Sequence, residues 1–403
     1  MAAGKRMSKT ILTSANLLKA YIDCRQNKRK TMNALKFEMN LEHNLHELLL
    51  NLENRTYVPG KSICFVVTKP KPREIFAAEF CDRVVHHVLI NQVQKIWEDK
   101  IFIDDSYACR PNKGNHYGVA KLQQYAKQFR YYGEFDIANF FGSIDKNVIY
   151  ESFAKVIRFI NRPDWWKDEI LWLAKTIIFH NPASNYYYKG DPKLKDLVPP
   201  YKSLIHKDGM TGMPIGNLTS QFLANVYLNE LDQFVTKTLG AKGYGRYVDD
   251  FVIFANSKEE LRHWRDQIGE YLKNELHLQL HPKKQQIQPT SHGIPFVGYF
   301  IKPWGVTIRR NVVKTLKNKI YGWNKSGDVE SMIPSINSYL GHLGKAKSGR
   351  LRHHLIDKHL SPEMKTKIVV IGNWRYLKAR KKVVTASPPQ PPKQISLFYS
   401  LDL

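Results

Sequence analysis

Tyr247-Val-Asp-Asp-Phe251 constrains this chain most, because it sets two adjacent carboxylates between the apolar halves of a strand–turn–strand pattern running from Tyr244 to Ala255. Burying unpaired charge is costly, so Asp249 and Asp250 need a cation beside them. Taken alone, an Asp-Asp pair is more often simply the turn of a hairpin. A hard divalent ion takes oxygen ligands, and a further carboxylate from a neighbouring strand would complete a site for a pair of ions. Asp136, in Glu134-Phe-Asp-Ile-Ala-Asn-Phe-Phe141, fits that description at the end of a predicted strand, Tyr131 to Ile137. Its bland alternative is a helix cap before Phe140.

The surrounding chain favours a polyanionic partner. Its 403 residues carry 62 Lys and Arg against 36 Asp and Glu, a formal charge of +26. That charge is spread among 21 Tyr, 19 Phe and 8 Trp instead of being packed into one amphipathic helix, which favours nucleic acid over a membrane surface. A hydrophobic content of 43% excludes a disordered tail. No apolar run reaches the roughly 18 residues of a membrane span, so no membrane partner is expected. Cys24, Cys64, Cys81 and Cys109 have neither CxxC spacing nor neighbouring His, and read as reduced thiols. The first residues lack the apolar core of a secretory signal, so a cytoplasmic location is expected.

Apolar spacing predicts two helices within residues 10–55 and a short strand over Ser62 to Thr68, which Lys69-Pro-Lys-Pro-Arg73 ends as a basic turn. Helices are predicted from Asp82 to Glu98, from Tyr117 to Phe129, and after a loop within Pro214 to Leu231. Short basic helices fill Asn311 to Ile371, residues 387–393 read as an extended Pro-rich linker, and Ile395 to Leu403 is apolar enough to dock.

Six segments stand in a fixed order: Lys69 to Arg73 continuing to Asp82-Arg83; Phe135 to Phe141; Gly212-Met-Pro-Ile-Gly-Asn-Leu-Thr-Ser-Gln221; Tyr247 to Asp250; His281-Pro-Lys-Lys284; and Phe296-Val-Gly-Tyr299. In this order, over roughly residues 60–345, the chain resembles a reverse transcriptase. The resemblance implies an α+β right-hand polymerase. Residues 1–60 would be an N-terminal helical extension, 61–130 the fingers, 131–300 a palm of antiparallel sheet and helices with an inserted segment, and 301–385 a helical thumb. Residues 386–403 would be linker and tail.

The resemblance also implies roles. Asp136, Asp249 and Asp250, with the carbonyl of Ile137, would hold two Mg2+ ions, with Mn2+ able to substitute. Lys69, Arg73 and Arg83 would neutralise the dNTP phosphates, while Lys71 reads as a solvated turn lysine. Phe141 would exclude a 2′-hydroxyl by contact, and Ile215, Gly216 and Gln221 would face the nucleotide. Lys283, Lys284, Phe296, Gly298 and Tyr299 would serve template and primer as the lysine segment and primer grip.

Most reverse transcriptases carry Gln where Ile215 stands. An apolar residue followed by Gly216 and Ser220-Gln221 resembles the enzymes of diversity-generating retroelements, related to those of group II introns and retrons. This implies error-prone copying at template adenines, template RNA and an RNA/cDNA duplex as partners, and a barrel-shaped accessory variability determinant. Retron, intron-derived and phage-defence enzymes are the alternatives within the family. An inactive RNA-binding scaffold is the alternative outside it. Beyond residue 300 the acids Asp328, Glu330, Asp357, Glu363 and Asp402 are too scattered for the carboxylate cluster of an RNase H domain.

Overall fold

The computed structural model describes residues 9–26, 31–372 and 374–380. The predicted linker and C-terminal tail lie outside the described residues. The chain divides into two units, Met1–Val306 and Thr307–Leu403.

The first unit opens with three helices where spacing predicts two: α1 (Ser14–Arg25), α2 (Met32–Glu38) and α3 (Leu41–Glu53). The Thr13 hydroxyl caps α1 by accepting from the Asn16 N–H at 3.2 Å, a contribution of about 1 kcal/mol. Helix α1 buries Leu17, Ala20, Tyr21 and Cys24 at helical spacing. Next come the antiparallel strands β1 (Ser62–Val67) and β2 (Arg73–Ala77), then α4 (Phe80–Lys100), α5 (Asn115–Gln128) and β3 (Tyr131–Ile137). Helix α1 packs along α4, and its buried face joins the main core, so the opening helices are a wall of this unit and not an appendage.

After β3 the chain forms α6 (Phe140–Ser143), α7 (Lys146–Phe159), α8 (Asp164–Phe179) and the short strand β4 (Tyr186–Tyr188). A run of 3-10 turns from Pro192 to His206 then leads to α9 (Leu218–Gln233). Helix α9 is buried on nearly every face, and contacts α4, α7 and α10. Strands β5 (Gly243–Tyr247) and β6 (Asp250–Ala255), helix α10 (Lys258–Asn274), and strands β7 (Leu280–Pro289), β8 (Ile294–Phe296), β9 (Tyr299–Lys302) and β10 (Gly305–Ile308) complete the order.

The central sheet runs β5-β6-β3-β7, and each neighbouring pair is antiparallel. Its register sets Asp136 opposite Asp250, and Tyr247 opposite Asp250 on the other side. Between Phe135 and Ile137 the pairing with β7 jumps from Gln285 to Leu280. Such bulges re-aim side chains beside functional sites. A second sheet, β2-β1-β4, joins β4 to β1 in parallel.

The second unit holds α11 (Arg310–Ser326), α12 (Val329–Leu343), α13 (Gly349–His359), α14 (Pro362–Thr366) and the hairpin β11 (Ile368–Ile371) and β12 (Tyr376–Ala379). Ile368–Ile371, read from sequence as the end of the helical stretch, pairs as a strand because Ile and Val suit a pleated surface. Leu316, Ile320, Met332, Ile336, Leu340 and Leu355 build its own core. The Asn337 amide closes it on β12, donating to the Leu377 carbonyl at 2.8 Å and accepting from its N–H at 2.7 Å.

Candidate active site

Three carboxylates converge at the end of the central sheet. Strand β3 brings Asp136, 6% exposed, directly across from Asp250 on β6, and the β5–β6 turn carries Asp249. Val248, the first residue of that two-residue turn, has φ +59°. Hairpin turns give this position to Gly or Asn, and a β-branched residue there stores about 1–3 kcal/mol of strain.

The charges crowd one another. Burial raises the Asp249 carboxyl above its ordinary range, and the charge of Asp136 adds to the rise. Asp250 meets solvent at its edge yet is hemmed in by protein, so desolvation raises it too, followed by its hydrogen bond with Asp136 and the charge of Asp249. Lys284, on the segment looped off by the β7 irregularity, donates to Asp136. Burial pulls the Lys284 ammonium down, but Asp136, Asp250 and Asp249 outweigh it and hold it above its ordinary value.

Among the described residues no group of three or more His, Cys, Asp or Glu side chains is arranged so that it could hold a metal ion. The donor chemistry nevertheless suits a hard divalent ion. It is all oxygen, its carboxylates outnumber the ammonium that answers them, and two of them rise against their own ionisation.

The carboxylates open into a cavity of about 570 Å3. Of the residues read from the sequence, Arg73, Asp136, Ile137, Phe141, Ile215, Gly216, Gln221, Asp249, Asp250 and Lys284 line it. Phe141 is partly buried, edge-on to Phe140 at 5.3 Å, and its carbonyl accepts from the Met213 N–H at 2.8 Å. The Ile215 carbonyl accepts from the Phe76 N–H at 3.1 Å, which ties this loop to β2. Gly216 makes the close approach feasible: its φ is +123°, and a Cβ there would meet Ile75 Cγ2 at 2.9 Å.

Lys69, Arg83, Lys283, Phe296, Gly298 and Tyr299 are not among the lining residues. Arg83 spends its Nε on the Ala78 carbonyl at 2.7 Å. Lys71, read as a solvated turn lysine, instead lines the cavity with Arg73. Phe296 and Tyr299 are buried at either end of the Val297–Gly298 turn, of which Val297 faces the cavity.

Sequence reading missed one wall of the cavity. The segment after β4 contributes Val198, Lys202 and Leu204. Glu74, 9% exposed, anchors it to β2 by accepting from the Ser203 hydroxyl and the Leu204 N–H, both at 2.7 Å. From the other side the Asn139 amide donates to the Tyr201 carbonyl at 2.8 Å. Lys71, Arg73 and Lys202 form no ion pair among the described residues, although the charge of Arg73 acts on Asp249, so the cavity carries cations beside its carboxylates. Ser220 was legible only as part of a motif; its hydroxyl is buried in the cavity wall and makes no hydrogen bond among the described residues.

Among the described residues no helix is long and apolar enough to cross a membrane. Residues 66–301 match the family model described as reverse transcriptase (RNA-dependent DNA polymerase). The group II intron-encoded protein LtrA of Lactococcus lactis subsp. cremoris is 22% identical over 359 residues, which cover 73% of this chain and 54% of that protein. Protein YkfC of Escherichia coli K12 is 22% identical over 282 residues, 60% of this chain and 66% of that protein. The chain thus spans about half to two thirds of the length of these curated relatives. Among solved structures, a Candida albicans telomerase in complex with a TWJ fragment of telomeric RNA aligns at a TM-score of 0.45 and 11% identity, over 74% of this chain and 55% of that one. With the family model matched across more than half of its residues, the chain belongs to the reverse transcriptase family of RNA-dependent DNA polymerases.

Proposed function

We propose that this protein synthesises DNA on an RNA template and does so for a diversity-generating retroelement. The observation that carries the polymerase reading is the register of β3 against β6, which opposes Asp136 to Asp250 at the mouth of a cavity flanked by Lys71, Arg73 and Lys202. Asp136, Asp249 and Asp250, with the Ile137 carbonyl, would hold the divalent cations, Mg2+ or in its place Mn2+. Two such ions, when bound, supply Lewis-acid activation of a primer 3′-hydroxyl and charge neutralisation at the departing pyrophosphate.

The chain's own residues do the rest. Arg73 and Lys71 draw the triphosphate into the cavity, Lys69 and Arg83 add positive charge toward its phosphates, and the guanidinium suits bidentate contact. Phe141, braced on Phe140, blocks the 2′ position of the sugar and so selects deoxynucleotides. Ile215, Gly216 and Gln221 face the base. Lys283 and Lys284, with Phe296, Gly298 and Tyr299 around the Val297 turn, serve the template and primer. Partners are the template RNA, the RNA/cDNA duplex and a barrel-shaped accessory variability determinant.

The mutagenic reading rests on Ile215. Its backbone is fixed to β2 but its side chain offers no amide to align the pair, and each lost hydrogen bond weakens discrimination by about 1 kcal/mol. The test is sequencing of cDNA made by the purified chain, its accessory partner and Mg2+ on an RNA containing all four bases. Errors concentrated at template adenines, and reduced about fivefold by Ile215→Gln, are expected. Faithful cDNA would move the enzyme to the retron, intron-derived or defence class, and equal error spectra for the two proteins would remove Ile215 from the explanation.

A further inference from the structure

Arg246 precedes the catalytic turn and is fully buried with Asp232, each side chain 0% exposed. All its guanidinium donors are used. Nε donates to Asp232 Oδ1 at 2.7 Å, and Nη2 to Asp232 Oδ2 at 2.6 Å and Ser106 Oγ at 3.1 Å. Nη1 donates to Asn225 Oδ1 at 3.2 Å and to the Val248 carbonyl at 3.0 Å. The Tyr244 hydroxyl adds a bond to Asp232 Oδ1 at 2.7 Å. The backbone is clamped as well, with the Arg246 N–H donating to the Asp105 carbonyl and the Tyr107 N–H to the Arg246 carbonyl, both at 2.9 Å.

A buried ion pair contributes little net stability, so charge neutralisation alone does not explain this arrangement. The planar fork joins four places at once: helix α9 through Asp232 and Asn225, the loop at Ser106, strand β5, and the catalytic turn through Val248. Val248 is the residue held at φ +59°, a conformation that persists only where its surroundings over-determine it. We infer that Arg246, oriented by Asp232, Asn225 and Ser106, is a positioning residue that locks Val248 in its left-handed conformation and so fixes Asp249 and Asp250 against Asp136. The inference rests on the proposed catalytic role of those three aspartates.

A double-mutant cycle on the full chain tests it. Arg246→Lys keeps a charge for Asp232 but cannot span the remaining acceptors, because an ammonium lacks the guanidinium fork. Val248→Gly removes the steric cost of the positive φ. Mn2+ affinity is read by EPR titration, and kcat and KM for dNTP by primer extension. Arg246→Lys is expected to lower Mn2+ affinity and kcat about tenfold while KM for dNTP changes less than about twofold, and adding Val248→Gly is expected to recover most of both losses. Should Arg246→Lys fail to fold by circular dichroism, Ser106→Ala, which removes one neutral acceptor, is expected to give the same pattern at about threefold.

Losses that simply multiply in the double variant would overturn the inference, as would a lowered Tm with Mn2+ affinity and kcat unchanged. Mn2+ coupling without any DNA synthesis by the wild type would uphold the lock and overturn the polymerase reading.

Discussion

Lys146 is 2% exposed, and its Nζ donates to the His180 carbonyl at 2.8 Å. Burial lowers its ammonium from the ordinary 10.5 to about 8, against the opposing charge of Asp208. Between those two values the unfolded chain binds more protons than the folded one, so this group's contribution makes stability rise with pH through that window and weakest below it. Lys146→Met removes the titration. Urea unfolding from pH 7 to pH 10 is expected to show wild-type stability gaining on the variant by up to about 1.4 kcal/mol per pH unit above about pH 8. Parallel curves would contradict it. Residues differ in how openly the sequence declares them. Asp249 and Asp250 stand out because carboxylates interrupt an apolar hairpin. Arg246 and Asp232 do not, since a pair joined from a strand to a helix leaves no local signature. Val248 conceals its backbone strain for a similar reason, because Val is what a strand would carry anyway.

Among elements, the wall formed after β4 is the least expected. The sequence reading located β3, β5, β6, α4, α5 and the helix of α9, and the helical spacing of apolar residues marked α4 most directly. The segment from Tyr186 to His206 has a three-residue strand and 3-10 turns, too short for either period, and its parallel pairing with β1 joins positions far apart in sequence. Its side-chain tether to β2 is one buried carboxylate, Glu74. Glu74→Ala removes both of its hydrogen bonds and is expected to cost about 3 kcal/mol locally, since bonds to a charged group contribute about 1.5–3 kcal/mol each. Limited trypsin digestion reads this directly, with faster cleavage at Lys193, Lys195 and Lys202 in the variant and unchanged cleavage elsewhere in the first unit. Cleavage at the wild-type rate would show that β4 pairing and the Asn139 bond to Tyr201 hold the wall without Glu74. The β7 irregularity beside Asp136 was equally unreadable, because a bulge depends on the partner strand's register.

At the scale of the molecule, the chain carries a formal charge of +26, while Asp136, Asp249 and Asp250 concentrate negative charge in the lining of one cavity of its first unit. That contrast is the arrangement a polyanion-handling enzyme needs: diffuse positive charge to gather nucleic acid and a concentrated negative point to hold cations against it. The family match over residues 66–301 lies wholly within the first unit, while the second builds a separate helical core around Leu316, Ile336 and Leu355. The order of motifs along the chain made the family legible, since six spaced segments constrain one another more than any pair of acids can. The most direct measurement is primer extension on an RNA template by the full chain with dNTPs and Mg2+, comparing wild type with Asp249→Ala/Asp250→Ala and following RNA–DNA duplex binding alongside. The expected result is cDNA from the wild type and none above background from the variant, with duplex affinity not weakened by more than about threefold, because a carboxylate makes no favourable contact with a phosphate. Synthesis that persists without the two aspartates, or a wild type that binds the duplex and makes no DNA, would contradict the assignment of this cavity as a polymerase centre.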